Sequence, residues 1–462
     1  MAVGLMSAPA ARAEAQRRQV EQALRAREMG AYLAGIFGAA RAAGASHEPL
    51  ECRILDVKYE PGEYCTVLYL LGDRMVIGTM RWDGTEDEIP ATARLIAPLG
   101  MRVYPFDQDP ALPGLAIARD PQAIAAVLTA ALPECRDGAA RVVRCRITVL
   151  RYRPGKRCTL RYDFWLRDAR TGAARPRTLF AKVYHQLAKA TSVYAEMQML
   201  CSSAPACDGR VVFARPAAFL PELQIVVQEP IEGTPLELLL EGMRGAVTAG
   251  DRRGWEGVVH SAAALAALHT AGLSTPRERP IAAELKRFQK RAGLAAAVDP
   301  TVGAELIELA RALPAWLERL PEWDAQITLV HGDCKHSQCM LTPAGVAILD
   351  FDHCGMADPA SDIGTYLATL RQLGIHQALK AHGSAASAAR TRWLRALEDR
   401  FLEEYCAVSG FSTGFRLRAT WYEAVALMRK ALRGFARAPR SPMPLAQVEE
   451  AWRILATLGG GR

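Results

Sequence analysis

Residues 52–69 and 145–162 are diverged copies of one another, offset by 93 positions. Cys52/Cys145, Arg53/Arg146, Ile54/Ile147, Tyr59/Tyr152, Pro61/Pro154, Gly62/Gly155, Cys65/Cys158, Thr66/Thr159 and Tyr69/Tyr162 are identical pairs. Each copy alternates apolar and polar residues about a Pro-Gly step, the pattern of a β-hairpin. The first half of the chain must therefore accommodate two related β units in tandem. The second copy continues into Arg177–Tyr184, which carries Lys182; the first continues into Arg74–Met80, where Gly78 or Thr79 stands in its place. The stretch Pro105–Pro113, rich in Asp and Pro, suggests a boundary, and Asp120–Leu132 reads as a short helix leading into the second copy.

Further on, the apolar run Ile327–Val330 delivers His331, Gly332 and Asp333 into a loop. A second run, Gly345–Leu349, delivers Asp350 twelve residues after Gln338. A carboxylate, an amide and a second carboxylate are thereby expected at the ends of adjacent strands. Phosphoryl transfer needs such a set: a base beside the acceptor hydroxyl, and oxygen ligands for Mg²⁺. His331-Gly332-Asp333, with an amide five residues after the Asp, then Asp350, then Asp358-Pro359-Ala360-Ser361-Asp362-Ile363-Gly364, resembles the aminoglycoside phosphotransferase and choline kinase family over about residues 141–460.

The resemblance implies an α+β, two-lobed protein-kinase-like fold, with a small β-rich N-lobe and a larger helical C-lobe. Here a diverged extra β unit precedes it. The expected division is a helical N-terminal extension over 1–44, the diverged β-hairpin unit or cap over 45–125, the N-lobe over 126–230 and the helical C-lobe with its catalytic loop over 231–462. It also implies ATP, Mg²⁺ and, as acceptor, a hydroxyl of a small molecule such as a sugar, an amino alcohol or an aminoglycoside-like compound. Asp333 takes the part of catalytic base, and Lys335 neutralises the transferred phosphoryl group or is a plain surface lysine. Gln338, where the family more often has Asn, and Asp350 take the metal. Asp352 supports the metal from the same strand face as Asp350, or is a solvated loop residue. Lys182 resembles the ATP-phosphate lysine, with Glu196 as its ion-pair partner. Tyr152–Arg157 replaces a glycine-rich loop, so Lys156 and Arg157 are expected over the phosphates, and Gln228 and Pro230 at the hinge beside the nucleotide. Asp362 is expected to bond backbone amides near the catalytic loop or to cap the helix beginning around Ile363. His331 reads as an orienting residue and His269 as a core histidine.

Helical periodicity covers Ala10–Ala43, Ala188–Leu200, Ser261–Thr270, Ala304–Leu320, Arg390–Val408, Phe415–Ala436 and Pro444–Leu458, and Leu223–Val227 reads as a strand. A net charge of +8 suits an anionic ligand such as ATP. No long Lys/Arg block with interleaved aromatics argues for nucleic acid. Eleven scattered cysteines and a start without a basic leader point to free thiols in the cytoplasm. No run of 18 apolar residues predicts a membrane span. His331, Cys334, His336, Cys339, His353 and Cys354 lack the separated pairs of a zinc site. Gln338 and the missing glycine-rich loop leave a nucleotide-binding pseudokinase, acting as an interaction module, as the alternative. Oligomeric state is left open.

Overall fold

The computed structural model describes residues 8–38, 50–60, 62–85, 89–241, 249–321, 327–381, 385–411, 413–438 and 441–459. Positions 39–43 of the first expected helix, and Pro61 of the repeat, lie outside them. Where one helix was expected there are two, α1 (Ala8–Ala23) and α2 (Ala26–Phe37). Strands β1 (Cys52–Glu60), β2 (Tyr64–Leu71), β3 (Arg74–Arg81), β4 (Arg94–Ile96) and β5 (Met101–Pro105) form an antiparallel sheet in the order β1-β2-β3-β5-β4. Successive side chains of a strand point to opposite faces, and here both faces are covered. Val67, Tyr69 and Met101 pack with Val20, Met29 and Leu33 of the two helices. Leu68, Ile77 and Tyr104 join a second core with Leu160, Tyr162 and Leu179 from the repeat's other copy.

Between the copies lie α3 (Leu115–Arg119) and α4 (Pro121–Ala131). Asp120 caps α4 by accepting from Gln122 N and Ala123 N, and Pro121 fills the first helical position, where no donor is lost. There follow β6 (Ala140–Arg153), β7 (Arg157–Asp168), β8 (Ala174–Tyr184), α5 (Leu187–Cys201), α6 (Ala204–Cys207), β9 (Val211–Val212), β10 (Pro216–Leu220) and β11 (Ile225–Gln228). The second sheet runs β10-β11-β8-β7-β6. The strand expected from Leu223 starts two residues later, because Pro221–Leu223 is a 3-10 turn and Gln224 is left-handed at φ 55°.

Strand register resolves the repeat. Thr159 lies opposite Lys182, and its counterpart Thr66 lies opposite Thr79. Thr79, not Gly78, therefore holds the lysine's position in the first copy. The stretch Pro105–Pro113 buries Phe106 and Leu112 in the core the two copies share. From it, Asp109 accepts from the Tyr152 hydroxyl at 2.6 Å and from Gly155 N at 2.8 Å. The hairpin tip of the second copy is thus held by the segment that joins it to the first.

The chain divides into two compact units, Met1–Ser192 with Ala217–Gln228, and Val193–Pro216 with Glu229–Arg462. The second contains β12 (Thr234–Pro235), α7 (Leu236–Glu241), α8 (Ala249–His269), α9 (Ile281–Val298), α10 (Pro300–Leu317), β13 (Thr328–Val330), β14 (Cys339–Thr342), β15 (Gly345–Ile348), β16 (Gly355–Ala357), α11 (Ala360–Ala381), α12 (Ala385–Ser409), α13 (Thr413–Arg437) and α14 (Met443–Gly459). Its strands form a sheet β12-β14-β15-β9 and a separate pair β13-β16. The strands before Asp333 and Asp350, β13 and β15, are therefore not hydrogen-bonded neighbours as expected. Each takes a different partner, β16 and β14 respectively.

The core of this unit is helical and aromatic. Tyr366 stacks on Phe401, and Tyr405 on Phe415. The buried Trp421 donates its indole N–H to Leu313 O at 2.9 Å. Arg371 gathers three glutamates from other helices: Glu398 at 2.7 Å, Glu450 at 3.0 Å and Glu423. All eleven cysteines are free thiols. Among the described residues no helix is long and apolar enough to cross a membrane.

Burial, and then the charge of Glu423, push the Glu398 carboxyl up to about 8 against the pull of Arg371. A raised folded pKa means that protonation favours the folded state, so this contribution fades as pH climbs from the ordinary glutamate value to about 8. Arg371→Leu strands these carboxylates and should cost ~3–5 kcal/mol at pH 8. In urea unfolding the deficit should shrink toward pH 5, where Glu398 and Glu423, whose pKa values burial raises, take up protons.

Candidate active site

The loop after β13 is organised around one buried carboxylate. Asp362, in the first turn of α11, accepts from His331 N at 2.6 Å, from Gly332 N at 2.8 Å and from His269 Nε2 at 3.2 Å. Burial alone would raise its pKa; the His269 and backbone donors outweigh that and hold it below the usual carboxylate range. Of the two roles expected for Asp362, it takes the amide-bonding one. The capping falls to Asp358, which accepts from Ala360 N at 2.9 Å and pairs with Arg418.

His331 is buried, and its ring spans the loop: Nε2 donates to Leu349 O at 2.7 Å, and Nδ1 accepts from Asp333 N at 3.3 Å. These bonds orient the loop and leave the ring no role as a base. Gly332 has φ 78°, and a Cβ there would fall 2.2 Å from His353 O, so only glycine fits. His269 is buried between Tyr405 Oη and Asp362, as expected of a core histidine.

Asp333 itself is reachable, with 22% of its side chain exposed, and Lys335 donates to Oδ2 at 2.8 Å. Partial burial pushes its pKa up, but Lys335, with Arg433 and His331 behind it, brings it below the ordinary value. Asp333 is a charged acceptor at neutral pH. Burial, together with Lys430 and Lys335, drives the pKa of neighbouring His336 down to about 4, so that ring is neutral.

Asp350 follows β15 in a left-handed conformation, φ 67° and ψ 59°, sparsely populated by non-glycine residues. Gln338 Nε2 donates to Asp350 Oδ2 at 3.3 Å, which brings the amide and second carboxylate of the motif together. Asp352 has neither the strand face nor the solvent exposure expected of it. The chain leaves the strand at Ile348 and makes a 3-10 turn over Phe351–His353, so alternation no longer puts Asp352 on the face of Asp350. It is also buried rather than solvated. Among the described residues no group of three or more His, Cys, Asp and Glu side chains could hold a metal ion.

Sequence patterns did not reveal two arginines that support this loop from before α9. Arg277 Nη1 donates to Asp352 O and Cys354 O, both at 3.0 Å, and its Nη2 lies 3.1 Å from Glu196 Oε1. Arg279 donates to Gly332 O at 3.3 Å and to His353 O. The backbone of 277–279 lies along β16, with Met356 N donating to Arg277 O and Arg279 N to Met356 O. These contacts join positions more than fifty residues apart, beyond the reach of any local spacing rule.

In the first unit, Lys182 lies on β8 between Thr159 of β7 and Val226 of β11. Lys156 is exposed at the tip between β6 and β7, whereas Arg157 begins β7 and is only 8% exposed. Gln228 ends β11, the last residue of this unit; Pro230 belongs to the second unit, as does Glu196.

A model of the phosphotransferase enzyme family matches residues 156–397. No curated protein matches the chain. Among solved structures, choline kinase from Cryptosporidium parvum Iowa II is 10% identical with a TM-score of 0.48, covering 73% of this chain and 96% of its own. A choline/ethanolamine kinase family protein from Mesorhizobium loti is 14% identical with a TM-score of 0.42, covering 74% and 95%. A glucosamine kinase is 14% identical with a TM-score of 0.44, covering 91% and 97%.

The Lys335–Asp333 pair has a measurable consequence. In Lys335→Met the burial of Asp333 is no longer offset by its nearest cation, and its pKa should rise. The acid limb of the pH profile of turnover should move up with it, and an unmoved limb would rule Asp333 out as its source.

Proposed function

This chain belongs to the phosphotransferase enzyme family, and we propose that it transfers the γ-phosphate of ATP, with Mg²⁺, to a hydroxyl of a small molecule. The observation that carries this reading is Asp333. It is an ionised, partly exposed carboxylate on a loop whose backbone is fixed by Asp362 and His331. Asp333 accepts the proton of the acceptor hydroxyl as that oxygen bonds to the γ-phosphorus. The bond to the bridging oxygen breaks, and ADP leaves. Lys335, already beside Asp333, supplies positive charge to the oxygens of the moving phosphoryl group.

Gln338 and Asp350 fit a hard divalent ion, since both offer oxygen and stand within hydrogen-bond reach of each other. The Gln338 amide, turned about its last bond, presents Oε1 in place of Nε2, so the replacement of Asn retains a donor of the right kind. Bound there, Mg²⁺ neutralises phosphate charge. In the family pattern Lys182 takes the phosphate-binding lysine's part, while Glu196 pairs with Arg277 in its own unit. Lys156 adds charge at the hairpin tip beside Arg157, and Gln228 and Pro230 flank the nucleotide's hinge.

Asp333→Asn separates a kinase from an interaction module. For a kinase, turnover should fall ~10³-fold while the Mg-ATP thermal shift persists. That shift corresponds to about 2.7 kcal/mol at a hundred times the Kd. A variant as active as the wild type would refute Asp333 as the base.

A further inference from the structure

Cationic side chains from the segment before α9, from α13 and from the loop lie around Asp333. Arg279 donates to Gly332 O, next to Asp333 in the chain, and Lys335 pairs with Asp333. Arg429 on α13 makes a two-point ion pair with Glu284 on α9, at 3.0 Å for one arm, and its Nη1 lies 3.4 Å from Thr365 Oγ1, one turn beyond Asp362 on α11. Lys430 donates to Gln372 Oε1 at 2.7 Å. Arg433, one turn after Arg429, is exposed and among the described residues makes no hydrogen bond or ion pair.

The three carboxylates nearest these cations are already engaged. Glu284 is committed to Arg429, Asp333 to Lys335, and Asp362 to two amides and His269. Asp333 and Glu284 act on Arg433, and Lys430 feels Lys335, Arg429 and Arg433 against the opposing charge of Asp333. Burial and those cations lower Lys430 to about 7, so an arriving anion would recharge it. An ammonium in the same place would meet like charge at close range.

We propose that the acceptor carries an anionic group, a phosphate or a carboxylate, and that Arg433 with Lys430 binds it beside Asp333. This assignment rests on the phosphotransferase reading above. It makes Arg433 the specificity-determining residue: guanidinium forks match both anions, and the hydroxyl to be phosphorylated is held by the same molecule's charged end. A choline-like or amino-sugar acceptor is disfavoured by the same field.

The test uses the full chain saturated with Mg²⁺ and a non-hydrolysable ATP analogue, so that the phosphate-donor site is filled. Inorganic phosphate and acetate are titrated by calorimetry against the wild type, Arg433→Gln and Arg433→Lys. At least one anion should bind the wild type, ~10–100-fold more weakly to Arg433→Gln, with partial recovery in Arg433→Lys and unchanged affinity for the nucleotide. Whichever probe binds tells a phosphate-bearing from a carboxylate-bearing acceptor. Turnover of glucose 6-phosphate, gluconate, glucose and glucosamine with Mg-ATP gives a second arm, in which glucosamine should be the poorest. The proposal is overturned if neither anion binds, if Arg433→Gln leaves anion binding unchanged, if that variant loses nucleotide affinity instead, or if glucosamine has the highest kcat/KM. Failure of the kinase reading is distinct: the wild type would not bind the nucleotide at all, and the acceptor proposal would fall with it.

Discussion

The second unit's chemistry depends on the carboxylate of Asp362, sealed from solvent and satisfied by two backbone amides and an imidazole rather than by an arginine. Burying a carboxylate is costly unless donors surround it, and charge-assisted bonds from amides are among the strongest available. The donors here are the N–H groups of His331 and Gly332, so satisfying Asp362 also sets the path of the chain into Asp333. Asp362 sits on α11 and His269 on α8, both packed into the same helical core. The loop thereby inherits its position from helix packing.

Two further devices repeat this logic with other materials. Arg277 and Arg279 bind backbone carbonyls around the turn after Asp350 and the loop before Asp333, tying both to one short segment. In the first unit, Asp109 holds the hairpin tip through Gly155 N and the Tyr152 hydroxyl. A tip with a single glycine has little backbone freedom to wrap a phosphate, and here it is braced by the piece of chain that links the two β copies. The extra β unit shares a core with its counterpart, so the two copies pack as one body of β structure.

Charge is distributed unevenly over the helical unit. Where structure alone is served, cations are matched: Arg371 by three glutamates, Arg418 by Asp358. Around Asp333 several cations gather, and Arg433 makes no ion pair among the described residues, though Asp333 and Glu284 act on it at longer range. A local excess of this kind is consistent with a net basic chain, but net charge by itself places nothing.

The sequence by itself determined the repeat, the two apolar runs before Asp333 and Asp350, and most of the helices, because these are periodicities of 2 and 3.6 residues written in neighbouring positions. It also yielded the family, since Asp333, Gln338, Asp350, Asp358 and Asp362 lie close in the chain. Tertiary structure alone decided the rest. Which strands pair, that Thr79 replaces Lys182, that Asp352 is buried, and that Arg277, Arg279 and Arg433 gather near the loop all depend on contacts between distant segments. The reason is physical: a side chain's periodic neighbours fix which face it shares, whereas its partners across the fold are set by how whole elements pack, which no local spacing encodes.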